Sequence, residues 1–405
     1  MHSVKPEQRD FLNWEFGLFF HFGIRTFYEG HTDWDEKPMP LEGFLPTALD
    51  CEDWLKTARD AGARYAVFVC KHHDGFANWP SAHTDYSVKN TPWRNGTGDV
   101  VRAFTDACRK FGLKIGLYYS PAQFGSVKMD AKSYDDYFIA QISELLTNYG
   151  KIDYLWFDGC GSEGHRYDTE RIVRAIRTLQ PQILLFNMWD PDTRWIGNES
   201  GVADSPNPLV ADAVDVSVQT QEKDARKTAR FLPAECDCRI RETSWFFSDS
   251  DADTVKSLDE LMGLYYYSVG RGANLLLNVS PDRRGLLPER DKAALLQFGQ
   301  TVKKLFSDPI FCESEQAGAA LTLRFPVQPV NHLVLMEEIT GADAIEAFTV
   351  KAHPYPYGAP ITVFRGTTVG HKAICPFPTI RTGTLEVVFD RAAPVKGRVF
   401  YLPRF

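Results

Sequence analysis

The feature that most constrains this chain is an alternation through its first three quarters, in which short uninterrupted apolar runs are separated by amphipathic segments of helical period. The apolar runs are Leu18 to His21, Tyr65 to Cys70, Ile115 to Tyr119, Ile152 to Phe157, Ile183 to Phe186 and Asn274 to Val279. A run that is apolar on both faces suits a strand of a parallel sheet, because helices cover such a sheet on either side. Between the runs, Asp50 and Asp99 stand where helix N-caps belong, and Gly62 and Gly112 stand where those helices must stop. After Asp99, the residues Val100, Val101, Phe104, Ala107, Cys108 and Phe111 share one helical face. Further helices are expected over Tyr134 to Tyr149, Glu170 to Leu179, Leu258 to Val269 and Pro288 to Phe306. This pattern predicts a parallel α/β fold, either a doubly wound sheet or a (β/α)8 barrel.

The polar residues favour the barrel. His21, His72, His73, Tyr119, Asp158 and Asn187 each fall at or just past the C-terminal end of an expected strand. Barrel enzymes assemble their sites at that face, from several strands at once. A doubly wound nucleotide binder would carry a glycine-rich phosphate turn after its first strand, and the segment Phe16 to Gly23 lacks that spacing. No strand can be placed with assurance from Asn187 to Ala234, which is rich in Asp, Pro and Asn. After Phe306 the pattern changes to many prolines and short alternating runs, such as Asn331 to Met336 and Thr384 to Phe389. The expected organisation is a (β/α)8-like TIM barrel over residues 1–308, followed by a small C-terminal β-sandwich domain over 309–405.

Composition narrows the function classes. A chain of 405 residues exceeds the ~250–300 at which single cores stop growing. The net charge of −8 comes without a basic block, which argues against nucleic acid as a partner. No apolar run approaches the ~18 residues of a membrane span. The eight cysteines lack both a disulfide framework and paired zinc-ligand spacing. The N-terminal segment has no apolar signal core, so the chain as given reads as cytoplasmic, or as secreted or periplasmic if a leader has been removed. An aromatic content of 13 % suits a sugar site, where rings cover the apolar faces of a pyranose, but also suits a large core.

Asp158 is the first candidate for chemistry. It ends the run Tyr154-Leu-Trp-Phe-Asp158 and precedes Gly159, which puts a carboxylate at the barrel mouth, where neighbouring donors can tune a nucleophile. The alternative is a cap for the following segment. His72 and His73 follow the second strand. Neighbouring side chains in a strand point to opposite faces, so a shared metal ion would require a bend, and hydrogen bonds to substrate hydroxyls suit them better. His21 ends the first strand as either a further hydroxyl contact or a packed core histidine. Trp34, Trp79, Trp156 and Trp245 could stack on sugar rings or fill the core. For a second carboxyl there are two choices. Glu199 lies in a loop framed by Gly197 and Gly201, whereas Glu235 is followed by Arg239 and Arg241, which would keep it ionised if they are close in space.

Taken together, these motifs resemble glycoside hydrolase family 29, the α-L-fucosidases, over roughly residues 14–306. The matching segments are Phe16 to Gly23, Ala66 to Pro80 with its Lys-His-His-Asp-Gly-Phe core, Asp99-Val-Val, Asp106 to Ser120, Trp156-Phe-Asp-Gly159 and Asn274 to Asp282. The segments Gly197 to Gly201, Pro233 to Glu235 and Pro281 to Gly285 are similar to the branch that acts on α-1,3- or α-1,4-linked fucose. The resemblance implies a barrel with a C-terminal β-sandwich, a fucosylated oligosaccharide or glycoconjugate as substrate, a retaining double displacement, and no metal or other cofactor. It implies Asp158 as nucleophile and Glu199 as general acid/base, with Glu235 in reserve. His21, His72, His73 and Trp156 match fucose-binding positions, and Asp33 and Trp34 correspond to a Glu-Trp pair of the branch. Tyr119 and Trp245 complete the expected substrate contacts. The loop Thr32 to Pro38 and the segment Ser244 to Ser248 depart from the branch pattern, which bears on linkage preference more than on reaction type. Two other readings compete: a non-catalytic fucose-binding protein on the same scaffold, and a barrel glycosidase of other sugar specificity such as an α-galactosidase.

Overall fold

The structure, a computed structural model, describes residues 4–30, 37–122, 129–162, 164–216, 223–341 and 344–402. Asp33 and Trp34 lie outside the described residues. Eight parallel strands form the N-terminal unit: β1 (Phe16–Phe20), β2 (Tyr65–Lys71), β3 (Lys114–Tyr119), β4 (Tyr154–Phe157), β5 (Leu184–Phe186), β6 (Arg194–Trp195), β9 (Ala234–Arg239) and β10 (Asn274–Asn278). A two-stranded antiparallel hairpin, β7 (Val210–Asp215) and β8 (Lys223–Phe231), is inserted between β6 and β9. The sheet order is β5-β4-β3-β2-β1-β10-β9-β6, and a parallel bridge between Phe186 and Thr193 brings its two ends together. The result is a nearly closed (β/α)8-like barrel, as the alternation predicts.

A short helix, α1 (Pro6–Leu12), precedes the barrel. Helices α2 (Cys51–Asp60), α3 (Val100–Phe111), α4 (Ala131–Asn148) and α5 (Thr169–Leu179) follow β1 to β4, and α6 (Leu258–Tyr267) and α7 (Glu289–Phe306) follow β9 and β10. Asp50 and Asp99 do cap their helices, accepting from the backbone N–H of Asp53 and Arg102. The steps from β5 to β6 and from β6 to β9 carry no helix among the described residues. This is the stretch in which the sequence shows no strand. β6 has only two residues, and β8 reads Lys-Asp-Ala-Arg-Lys-Thr-Ala-Arg-Phe, so neither carries an apolar run.

Alternation along the buried strands sorts their side chains. Leu18, Phe20, Ala66, Phe68, Leu117, Tyr119, Leu155 and Phe157 join the large core between strands and helices. Phe19, Tyr65, Val67, Val69, Tyr118, Tyr154, Trp156, Phe186, Trp195 and Leu276 pack in a second cluster inside the barrel, with Phe11 of α1 and Trp14 closing its bottom. Phe11 meets Tyr154 at 5.4 Å and Trp14 meets Tyr65 at 5.2 Å between ring centroids. The interior is therefore a packed plug and not a pore.

The C-terminal unit is an antiparallel sheet of β11 (Glu313–Ala317), β12 (Ala320–Glu337), β13 (Phe348–Pro354), β14 (Ile361–Gly366), β15 (Ala373–Phe389) and β16 (Val395–Phe400). β12 and β15 are long and break register near Arg324–Gln328 and Val330–His332. These breaks let one continuous sheet turn back on itself, so that Leu321, Leu333, Ala373 and Val387 share one core. The sheet docks on the barrel through hydrogen bonds from Ile374 N to Gly270 O at 3.0 Å and between Tyr266 and His332 at 2.9 Å.

Glycine at position 17 is a packing requirement of the plug, because a Cβ there would meet the Tyr65 ring at 2.4 Å. Gly17→Ala is expected to lower the unfolding free energy by about 1–3 kcal/mol. Gly263→Ala, on α6 with nothing within 4 Å of the new methyl, should raise it by up to about 1 kcal/mol. Urea unfolding of the two variants checks both signs.

Candidate active site

A cavity of about 270 Å³ opens at the C-terminal ends of the barrel strands, just under the ~300–1,000 Å³ usual for ligand pockets. Its floor is the top of the aromatic plug. Trp156 stacks on Phe186 at 4.1 Å and on Tyr118 at 5.4 Å, and Phe19 packs against Trp156 at 5.3 Å. Asp158, His21, His72, His73, Glu199 and Trp245 rise around that floor.

Asp158 is inward because it continues the parity of Tyr154 and Trp156 on β4. Its Oδ2 accepts a hydrogen bond from the Tyr118 hydroxyl at 2.7 Å, and its Oδ1 accepts from the Cys160 backbone N–H at 2.9 Å. His73 Nε2 stands 3.5 Å from the same Oδ2. The other ring nitrogen of His73 meets the Ser120 hydroxyl at 2.5 Å. Ser120 is itself tied down by the buried Lys71, whose Nζ donates to the carbonyls of Ser120 at 2.7 Å and Ala122 at 3.0 Å. Burial pushes the Lys71 ammonium down to about 7. The carboxylate, the tyrosine and the histidine are thus held in one orientation from three strands.

His72 and His73 do not diverge as neighbours on a strand would. β2 ends at Lys71, and the turn closed by Gly75 N to His72 O at 3.0 Å brings both rings to the cavity, 4.3 Å apart. The bend that a shared ion would require is therefore present. His72, His73 and Asp158 place one ligand atom each within 4.8 Å of one another. Tyr118 on Asp158 Oδ2 and Ser120 on His73 Nδ1 fix the orientation of these two groups, with His73 Nε2 turned to Asp158. His21 bonds Asn278 Oδ1 through Nδ1 at 2.7 Å, leaving Nε2 as its other polar atom, and its ring lies 5.0 Å from that of Trp245.

The two candidate glutamates separate by depth. Glu199 lines the cavity, accepts from Trp245 Nε1 at 3.3 Å and stands 3.9 Å from Arg239. Its carboxyl is raised above the usual range, first by burial; Arg239 and the Trp245 N–H oppose the shift and the Asp158 charge adds to it. Glu235 is fully buried beneath the floor and accepts from Tyr65 at 2.6 Å, Trp156 Nε1 at 2.8 Å and Tyr154 at 3.3 Å. The expectation that arginines keep Glu235 ionised is corrected. Arg241 pairs with Asp291 and Asp251, and Arg239 reaches up to Glu199. Burial instead pushes Glu235 up to about 7, against its three hydrogen bonds.

Tyr119 is a second correction. It is fully buried on the helix side of β3, with its hydroxyl on Gln141 Oε1 at 2.7 Å, so it cannot touch a ligand in the cavity. Tyr118, one residue earlier, has the inward parity. Trp79 is likewise core, bonded to Glu144 at 2.8 Å. Sequence reasoning missed Tyr118, Trp195, Phe186 and Asp237, all of which line the cavity. Tyr118 and Tyr119 sit in a strand buried on both faces, and only a parity count from the polar end of a neighbouring strand could have separated them.

The sequence model of the family described as Alpha-L-fucosidase matches residues 38–305. The chain belongs to the α-L-fucosidase family. α-L-Fucosidase 1 of Arabidopsis thaliana is 31 % identical over 94 % of this chain and 84 % of its own length. Tissue α-L-fucosidase of Rattus norvegicus is 24 % identical over 73 % of this chain and 68 % of its own. A solved glycoside hydrolase 29 family member from an unknown rumen bacterium superposes with a TM-score of 0.90 at 30 % identity, covering 100 % of this chain and 78 % of that one. This family member is thus a glycoside hydrolase with its strand-end residues gathered at one barrel mouth. No helix among its described residues is long and apolar enough to cross a membrane.

The buried glutamate gives a pH signature. Glu235 binds its proton more tightly in the folded chain, at about 7 against 4.5 for an ordinary glutamate. Well below pH 4.5 it is protonated in both states and its shift costs nothing. As pH rises, only the unfolded chain releases the proton, so stability falls until about pH 7 and then levels. Glu235→Gln removes that loss. Its unfolding free energy relative to the parent should therefore improve by about 3 kcal/mol across this window, as measured by denaturant unfolding at a series of pH values.

Proposed function

We propose that this protein is a retaining exo-α-L-fucosidase that removes terminal L-fucose from fucosylated oligosaccharides or glycoconjugates. The observation that carries this reading is the division between two carboxyls of one small cavity. Asp158 is oriented by Tyr118, His73 and the Cys160 N–H, whereas Glu199 opposite a Trp245 contact holds its proton more tightly than an ordinary glutamate. Retaining hydrolysis requires one carboxyl placed to attack and a second that carries a proton to the leaving oxygen.

In this mechanism a carboxylate oxygen of Asp158 attacks the anomeric carbon while protonated Glu199 donates its proton to the departing glycosidic oxygen. The C–O bond to the leaving group breaks and a fucosyl–aspartate ester forms. Glu199, now ionised, takes a proton from water, whose oxygen attacks the anomeric carbon; the bond to Asp158 breaks, which restores its carboxylate and releases L-fucose of retained configuration. His21, His72 and His73 hold fucose hydroxyls, and the Trp156–Phe186 stack offers an apolar wall to the C5 methyl. Glu235 serves from below: it accepts from Trp156 Nε1 and thereby fixes the ring against which the sugar would rest. The segments Gly197 to Gly201, Pro233 to Glu235 and Pro281 to Gly285 support a preference for α-1,3- and α-1,4-linked fucose, and Asp33 and Trp34 belong to the same reading.

Three measurements test the proposal. Asp158→Gly should lower kcat on an aryl α-L-fucoside by about 10⁴-fold or more, and azide should restore turnover as a fucosyl azide. Normal turnover by the variant would remove Asp158 from the role. Glu199→Ala should lose about 10²–10⁴-fold on poor leaving groups and far less on good ones, whereas Glu235→Ala should show no such dependence on the leaving group. In a panel of aryl glycosides, L-fucose binding without release from any fucoside would instead support a non-catalytic protein, and faster cleavage of an α-galactoside would support a different sugar specificity.

A further inference from the structure

Strand β9 carries a column of three polar side chains into the barrel. Glu235, Asp237 and Arg239 alternate along it at successive heights. Glu235 is sealed under the floor, and Arg239 reaches the mouth beside Glu199. Asp237 lies between them, 4 % exposed yet part of the cavity lining. Its Oδ1 accepts from Trp195 Nε1 at 2.7 Å, and no other protein donor reaches the carboxyl among the described residues. The double displacement uses two carboxyls, which leaves this third one without a role. A buried polar group left half-engaged is costly unless something completes its hydrogen bonds.

We propose that Asp237 is a substrate-contacting residue, which hydrogen-bonds a ring hydroxyl of the sugar in the Asp158–Glu199 cavity through the carboxyl oxygen that Trp195 leaves open. The inference rests on the fucosidase reading above. Burial holds the Asp237 carboxyl well above the usual range; the Trp195 N–H opposes this, while Glu199, Glu235 and Asp158 reinforce it. In the acid form Asp237 has an O–H to donate, which a carboxylate lacks. A sugar hydroxyl at the open oxygen can donate to it, or accept from that O–H.

The test is inhibition of aryl α-L-fucoside hydrolysis by L-fucose and by its 2-, 3- and 4-deoxy forms, on the parent protein, Asp237→Ala and Asp237→Asn, with thermal unfolding of each. Asp237→Ala should weaken inhibition by L-fucose about tenfold, the worth of one such hydrogen bond. One of the three deoxy sugars, lacking the contacted hydroxyl, should inhibit parent and variant equally. Asp237→Asn, whose carboxamide can still donate, should return to within about threefold of the parent. Asp237→Leu, of similar bulk, takes the place of the alanine variant if that does not fold. Equal weakening for all four sugars, or for none, overturns the proposal. A parent protein that neither cleaves the fucoside nor binds L-fucose fails the fucosidase reading itself, a distinct result.

Discussion

The site depends on the aromatic plug that fills the barrel. Phe11 and Trp14 close the bottom, Tyr65 and Tyr154 form the next layer, and Phe19, Tyr118, Trp156 and Phe186 form the top. Without that filling, eight short strands would enclose water, and the carboxyls at the mouth would sit in a high dielectric. With it, the floor is apolar and rigid, and the proton affinities of the groups standing on it can diverge. The plug also contains its own polar anchor. Glu235 accepts from three aromatic donors on β2 and β4 and so fixes both the layer and the Trp156 ring above it.

Four carboxyls share this barrel interior, and depth separates their behaviour. Asp158 stands at the mouth with three polar neighbours. Glu199 is partly buried and keeps its proton longer than a solvated glutamate. Asp237 and Glu235 lie deeper, and desolvation dominates both. Coulombic coupling runs through the set, since the charge of Asp158 raises both Glu199 and Asp237. For Glu199, Glu235 and Asp237 burial is the largest cause of the shift, because it disfavours the charged form.

Much of the fold was legible from local signals. Continuous apolar runs, aspartate caps and glycine stops located β1 to β5, α2 and α3, because those signals come from neighbouring residues. The segment from Asn187 to Ala234 was opaque because β6 has two residues, β8 is highly charged and β7 is broken by aspartates, so none carries an apolar run. They owe their pairing to the barrel edge and to each other, not to their own composition. Within the site, Asp158, His21 and His73 were legible as polar residues that directly follow apolar strands. Tyr118 was not, since in a strand buried on both faces an inward tyrosine and an outward one look alike.

The alternation of strands and helices, the end of the barrel where polar residues gather, and the family motifs that include Asp158 can all be read along the chain. The face each tyrosine of β3 takes, the bend at His72 that turns both histidines to one cavity, and the depth of Glu235 under the floor with Glu199 in the opening were set by packing. The physical reason is that composition and period are local properties. Burial depth, and with it the protonation of a carboxyl, is set by rings contributed from strands that are distant in sequence.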